Sequence, residues 1–337
     1  MIFVRVAFSL GIAIMTMAAG MACSASTDDE AGEDNSPSGG PILLVANKSD
    51  DTISWLDVNT GKILGVTTTG RGPHEIAITP DGKWAFVSNY EGPGDSISLI
   101  DVEKMSEVRK ISIGSFRAPH GLVINRDGTK LYVTVENSRA VIEIDIATER
   151  VTRSFTTDQS VTHMLVLSPE SDRVFTTSIG SGSGSMIDLS TGNPVRHLST
   201  GEGAEGIDIS PDGTQIWITN READTVTIID AATFEKIADL PATGFPIRVK
   251  FTPDGTRALV SAAEAGDVIV FDVSTRTIVK RISTGATPIG IVVEPNGARA
   301  FIANTQANTI SVLDLQSLEI SGRLAAGRTP DGMVLVP

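Results

Sequence analysis

Three of the four histidines in this chain share one position of a repeated unit, and chemistry would gather there. His74 and His120 each follow a proline, Pro73 and Pro119, and His163 follows Thr162. The matching pairs in the other copies are Ala204-Glu205, Pro246-Ile247, Pro288-Ile289 and Pro330-Asp331. Histidines scattered over a ~42-residue unit would coincide like this only roughly a few times in a thousand. On a closed ring the order is Asp331, His74, His120, His163, Glu205, then Ile247 and Ile289. Three imidazoles beside two carboxylates suit one divalent transition metal ion, with nitrogen and oxygen as ligands. An open position on that ion would carry water and supply a hydrolytic nucleophile or a Lewis acid. Glu75 and Arg248 directly follow ring positions. Glu75 is the candidate base, and Arg248 the candidate cation for an anionic substrate. A plainer reading stands beside this one. Repeats arise by duplication, so a shared histidine can be scaffold, and a strand pleat aimed away from the axis would scatter the cluster.

The elements that must position these residues are strands. The aspartates closing each Ile/Leu/Val-Asp run are Asp57, Asp101, Asp145, Asp188, Asp230, Asp272 and Asp314, spaced 44, 44, 43, 42, 42 and 42 residues apart. Each unit holds four short alternating apolar runs, such as IAIT (76–79), WAFVSN (84–89), ISLIDV (97–102) and VRKISIG (108–114). Pro-Asp-Gly turns break them at 80–82, 211–213 and 253–255, where Pro presets φ and Gly permits positive φ. Four strands per unit and seven units predict an all-β, seven-bladed β-propeller with four-stranded blades. The chain begins on a second-strand pattern, PILLVAN (41–47), and ends on a first-strand pattern, GMVLVP (332–337). The C-terminal strand should therefore complete the N-terminal blade and close the ring, leaving 41–337 as one domain. The repeated aspartates are expected to accept N–H bonds in the turns that follow them.

These repeats resemble a known family. LYVTVENSRAVIEIDIAT (131–148), WITNREADTVTIIDAAT (217–233) and FIANTQANTISVLDL (301–315) look like YVTN-type (YncE-like) seven-bladed propellers. The resemblance covers nearly all of 41–337 and implies an extracytoplasmic propeller. It says little about activity, because one fold hosts binding modules and enzymes alike.

The loops between second and third strands hold Asn47, Asn89, Tyr90, Glu91, Glu136, Asn137, Asn220, Arg221, Glu222 and Asn304. Most read as turn chemistry. Tyr90, in a longer loop beside His74, is the candidate ligand wall. SIGSGSGS (178–185) reads as a flexible loop, and His197 as a solvated surface residue. No Gly-x-Ser-x-Gly elbow, His-Glu-x-x-His or dinucleotide fingerprint occurs.

Residues 1–22 carry one charge, Arg5, before an apolar stretch, the pattern of a secretory signal. Gly20-Met21-Ala22-Cys23 is similar to a bacterial lipobox, with Cys23 as the lipidated residue; Gly20 departs from the usual leucine. Residues 23–40 read as a solvated, acidic tether. The protein is thus expected in the bacterial periplasm or cell envelope, reaching the membrane only through a lipid anchor. A single cysteine excludes an intramolecular disulfide and any multi-cysteine metal centre. A net charge of −14 disfavours nucleic acid as a partner. The reading is a monomeric scaffold that binds a ligand, a metal or an envelope protein at its channel face. The alternative is a metal-dependent lactonase- or esterase-like hydrolase using the histidine–carboxylate cluster.

Overall fold

A computed structural model describes residues 40–92, 95–192 and 195–337. The signal, Cys23 and nearly all of the tether fall outside the described residues. Seven four-stranded antiparallel sheets are arranged as blades. In the blade that carries His74 the strands run, from the axis outward, Pro73–Ile78, Trp84–Asn89, Ser96–Asp101 and Ser106–Ser112. The closing blade is built from both ends of the domain. Its inner strand, Pro330–Leu335, pairs antiparallel with Ile42–Asn47. The ring is sealed by main-chain hydrogen bonds as the sequence phase requires. Among the described residues, helix is confined to two 3-10 turns, Glu136–Ser138 and Ile179–Ser181.

Second and third strands are buried on both faces because each blade lies between two others. Trp217 illustrates the packing: it is fully buried, and its ring meets Phe251 and Phe271 of the next blade edge-on at 5.5 and 5.7 Å. The turn aspartates do what their position predicts. Asp57 accepts the N–H groups of Asn59 and Thr60, both at 2.9 Å, and Asp230 those of Ala232 and Thr233 at 3.0 and 2.8 Å. The asparagines that end second strands are also structural. Asn47, Asn89, Asn220 and Asn304 each donate to a Ser or Thr on the third strand.

The segment 178–185 is not a loop. Ser178 ends one strand, three residues turn, and Ser183–Asp188 forms the next strand. Its small residues are a packing requirement: a Cβ on Gly184 would lie 2.9 Å from the Ile218 side chain of the neighbouring blade.

Inner strands position the ring residues, and they are irregular where it matters. Each histidine sits inside its strand, at the second residue, rather than in the loop before it. Pairing to the second strand slips between the first and fourth residues, as between Pro73 and Ile76, and the same slip recurs at Pro119/Leu122 and Thr162/Leu165. A bulge re-aims side chains that a flat pleat would send to opposite faces. Ser and Thr residues of the second strands hold the bulges. Thr134 accepts the Gly121 N–H and donates to the His163 carbonyl in the next blade. Thr219 does the same between Gly206 and Ile247, and Ser261 between Arg248 and Ile289. Blade-to-blade approach is close enough to demand glycine after some ring residues. A Cβ on Gly290 would fall 2.1 Å from the Asp331 carbonyl oxygen, and one on Gly332 2.2 Å from that of His74.

Candidate metal and ligand site at the channel mouth

The bulges turn the three imidazoles inward, and they meet. The His120 ring lies between the other two, 3.8 Å from His74 and 3.7 Å from His163, centroid to centroid. His74 Nε2 and His120 Nε2 are 3.1 Å apart, one donating to the other. All three histidines are buried, at the floor of a cavity of about 800 Å³ in the channel mouth. Ligand atoms of His120, Glu136 and His163 fall within 4.8 Å of one another, and so do those of His74, Glu75 and His120. The predicted carboxylates flank these groups: Asp331 Oδ2 is 3.4 Å from His74 Nε2, and Glu205 Oε1 is 3.6 Å from His163 Nε2.

Glu136 was not singled out by the ring register, yet it is the best-placed acid. Its Oε1 accepts from His163 Nδ1 at 2.5 Å, and its Oε2 accepts from the Tyr90 hydroxyl at 2.7 Å. With Nδ1 occupied, Nε2 is the nitrogen His163 offers to a ligand, and it has no hydrogen-bond partner. A signal for Glu136 existed in the sequence. The residue following each second strand is Lys48, Tyr90, Glu136, Ile179, Arg221, Ala263 and Thr305. Six of these seven line the cavity, forming a second ring above the first. The asparagines one position earlier drew the reading toward turns.

Glu75 and Arg248 meet each other at the axis. Arg248 reaches across the channel, and its Nη2 donates to Glu75 Oε1 at 2.7 Å. Burial opposes the Glu75 charge, but Arg248 and His74 outweigh it and hold the carboxyl down at about 2. Glu75 is therefore ionised and paired with Arg248. Arg248 borders both the upper cavity and a second space of about 390 Å³ beneath, where Leu122, Met164 and Val166 line the channel. The ion pair forms the floor between them. Arg248 Nη1 makes no hydrogen bond and faces Glu205 Oε1 at 3.6 Å.

Burial opposes the Glu205 charge too, but His163, Arg248 and Arg221 bring its carboxyl down to about 2. Arg221 Nη1 donates to Glu205 Oε2 at 2.6 Å. Burial lowers His163, and Glu136 and Glu205 more than compensate, so its pKa is raised. Burial and the neighbouring His163 push His120 well below the usual histidine range, leaving it neutral. A neutral imidazole is the form that ligates metal. Ring positions Ile247 and Ile289, with Phe245 and Ala263, give the opposite wall apolar surface beside Glu264, Thr287 and Gln306. His197 stays apart, exposed, with Nδ1 2.9 Å from the Ser185 hydroxyl.

Residues 111–299, more than half of the chain, match the family described as YncE-like beta-propeller, and residues 49–166 match the seven-bladed beta-propeller lactonases. All three clustered histidines lie inside that second stretch. No curated protein matches the chain. Among solved structures, Kuenenia stuttgartiensis hydrazine synthase is similar with a TM-score of 0.72 and 23% identity, over 81% of this chain and 92% of the other. A functionally unknown protein from Desulfotomaculum acetoxidans DSM 771 gives a TM-score of 0.75 at 14% identity, over 87% and 98% of the two chains. The periplasmic gluconolactonase PpgL of Pseudomonas aeruginosa gives 0.71 at 16% identity, over 88% and 99%. At these identities the likeness is one of fold.

Proposed function

The chain belongs to the YncE-like β-propeller family, and from that premise we propose that its channel mouth is a divalent transition-metal site serving a small-molecule binding propeller. Imidazole nitrogen from His74, His120 and His163 holds the ion, with carboxylate oxygen from Glu205 or Asp331 beside it. One observation carries this reading: ligand atoms of His74, Glu75 and His120, and of His120, Glu136 and His163, lie within 4.8 Å of one another, two groups that share the buried His120. His120 Nδ1 is buried without a hydrogen bond, and buried polar atoms are ordinarily satisfied, so its ring has room for a ligand. The spacings agree. Ligand atoms about 2.0–2.1 Å from a tetrahedral ion lie about 3.3 Å from each other, close to the 3.1 Å between His74 Nε2 and His120 Nε2 and the 3.4 Å between His74 Nε2 and Asp331 Oδ2.

The test is elemental analysis of residues 41–337, purified without chelator or histidine tag, beside a variant with all three histidines changed to Ala. About one equivalent of transition metal in the parent and none in the variant is expected. No metal in the parent, even after reconstitution, overturns the proposal.

A second reading is hydrolysis of a lactone or ester by metal-bound water. It is favoured by the lactonase match over the histidine-bearing stretch and by the likeness to the gluconolactonase. Lactone opening followed by proton release, present with metal and absent from the triple variant, would establish it. The same proposal places the body of the protein in the cell envelope, tethered through Cys23; Cys23→Ser should free it from membranes.

A further inference from the structure

We infer that the outer edge of the closing blade, Ile63–Thr68, joins two copies of this chain as a two-fold dimer, strand antiparallel to strand. Such a dimer goes beyond the channel site, does not depend on it, and takes the place of the monomer expected from the sequence.

Each blade ends in an outer strand that is hydrogen-bonded on one side only. An edge of that kind presents unpaired main-chain N–H and C=O groups to any other strand, and folded proteins commonly guard it with charge. Six of the seven outer strands carry such guards, Arg109, Arg153, Arg196, Lys236, Lys280 and Arg323 among them. Ile63–Thr68 reads ILGVTT and is, among the described residues, the one outer strand with no charged side chain. It pairs with Thr52–Asp57 and with no strand on its other side. Val66 is 58% exposed, more than any other large hydrophobic residue described, and Ile63 is 44% exposed. Thr67 ties this strand to the next blade by donating to the Met105 carbonyl. Val108, also exposed, stands on that blade's outer strand and widens the apolar strip.

Charge decides what can occupy this edge. At a net charge of −14, two copies of the chain repel over most of their surfaces. They can meet only where charge is missing, and a two-fold contact lays a patch on the same patch of its partner. With Ile63 opposite the partner's Thr68, Lys62 meets the partner's Thr69, so no like charges face each other. Other edges lack that freedom. Arg150–Thr156 and Thr277–Ser283 hold only cations, and pairing either with itself brings like charges together, although Ile278 and Val279 are exposed there too. Three exposed apolar residues a side set the contact at the small end of specific interfaces, under about 1,200 Å², with an affinity in the micromolar range.

Analytical ultracentrifugation of residues 41–337 over roughly 1–300 μM, where a contact of that size forms, provides the test. A reversible equilibrium between monomer and dimer is expected. Raising salt from about 0.05 to 0.5 M should tighten it, because screening relieves the repulsion between two acidic copies. Val66→Lys should weaken the dimer at least about tenfold, since it removes buried apolar surface and places a charge on each side of the pair. Thr68→Lys, also at an exposed position, should act in the same direction, and both variants should melt with the parent. Val279→Lys, on the outer strand Thr277–Ser283, should leave association as it was. A single monomer at every concentration overturns the inference. So does a dimer that both edge variants leave intact, one that Val279→Lys breaks as readily, one that salt dissolves, or growth beyond two copies.

Discussion

Two sets of side chains recur with every blade and live under opposite conditions. The aspartates ending third strands sit at turns, and one oxygen of each carboxylate accepts main-chain N–H groups from the next residues, as at Asp57, Asp188, Asp230 and Asp314. The ring residues are buried at the axis, vary from blade to blade, and pair with side chains of other blades, as His74 does with Asp331 and His163 with Glu205. Repetition is common to both and so does not separate scaffold from site. Reach does. A repeated acid that bonds within its own turn maintains the blade, whereas a repeated position that bonds across the channel gathers the chemistry of several blades in one place.

The largest effect that could break this contrast is at the channel floor. Arg248→Leu leaves Glu75 and Glu205 buried without their shared cation. Removing one partner of a buried pair costs about 3–5 kcal/mol, which urea unfolding at neutral pH should read. Glu75 and Glu205 are depressed from 4.5 to about 2 in the folded protein. Their contribution is therefore present above pH 4.5 and lost as pH falls through about 2. The gap between parent and variant should close across that window. A gap that is absent at pH 7, or that widens on acidification, would show the ion pair to be ornamental.

A smaller loss is expected at a turn. Asp57→Ala removes two charge-assisted main-chain bonds at a buried carboxylate, worth about 1–2 kcal/mol together. The urea midpoint should fall while metal content stays unchanged. A turn variant that lost metal would erase the distinction between the two sets.

The blade count, the strand spans and the closure by the C-terminal strand were legible because seven copies average out local ambiguity. One aspartate per repeat sets the period, and the phase of 41–47 against 332–337 dictates how the ends join. The histidine register was legible for the same reason. Three features were not. The bulge after Pro73 or Pro119 leaves no pattern in the residues, so a flat pleat remained an equal alternative. The Arg248–Glu75 bridge joins residues 173 apart, in blades facing each other over the channel, and no repeat arithmetic pairs them. Glu136 lay one residue beyond a column rich in Asn, and a column of turn-formers hides a functional neighbour until both are aligned.

Glu136 also offers the finest test of what distinguishes site from scaffold, because it belongs to the site yet is itself satisfied. Tyr90 and His163 occupy its two oxygens, so its part is to fix the His163 ring through Nδ1, with Nε2 turned to Glu205. Outer partners of this kind set the orientation and basicity of a metal-binding imidazole, and their loss typically weakens metal binding 10–100-fold. Glu136→Gln keeps the shape and an acceptor oxygen but removes the charge. Its melting temperature should stay close to the parent's, its metal affinity should fall roughly tenfold or more, and the visible absorption bands of bound cobalt should keep their positions because the ligand set is intact. Shifted bands would make Glu136 a ligand in its own right. Unchanged affinity would make the Tyr90–Glu136–His163 chain part of the scaffold, and the line between the two sets would then have to be drawn closer to the axis.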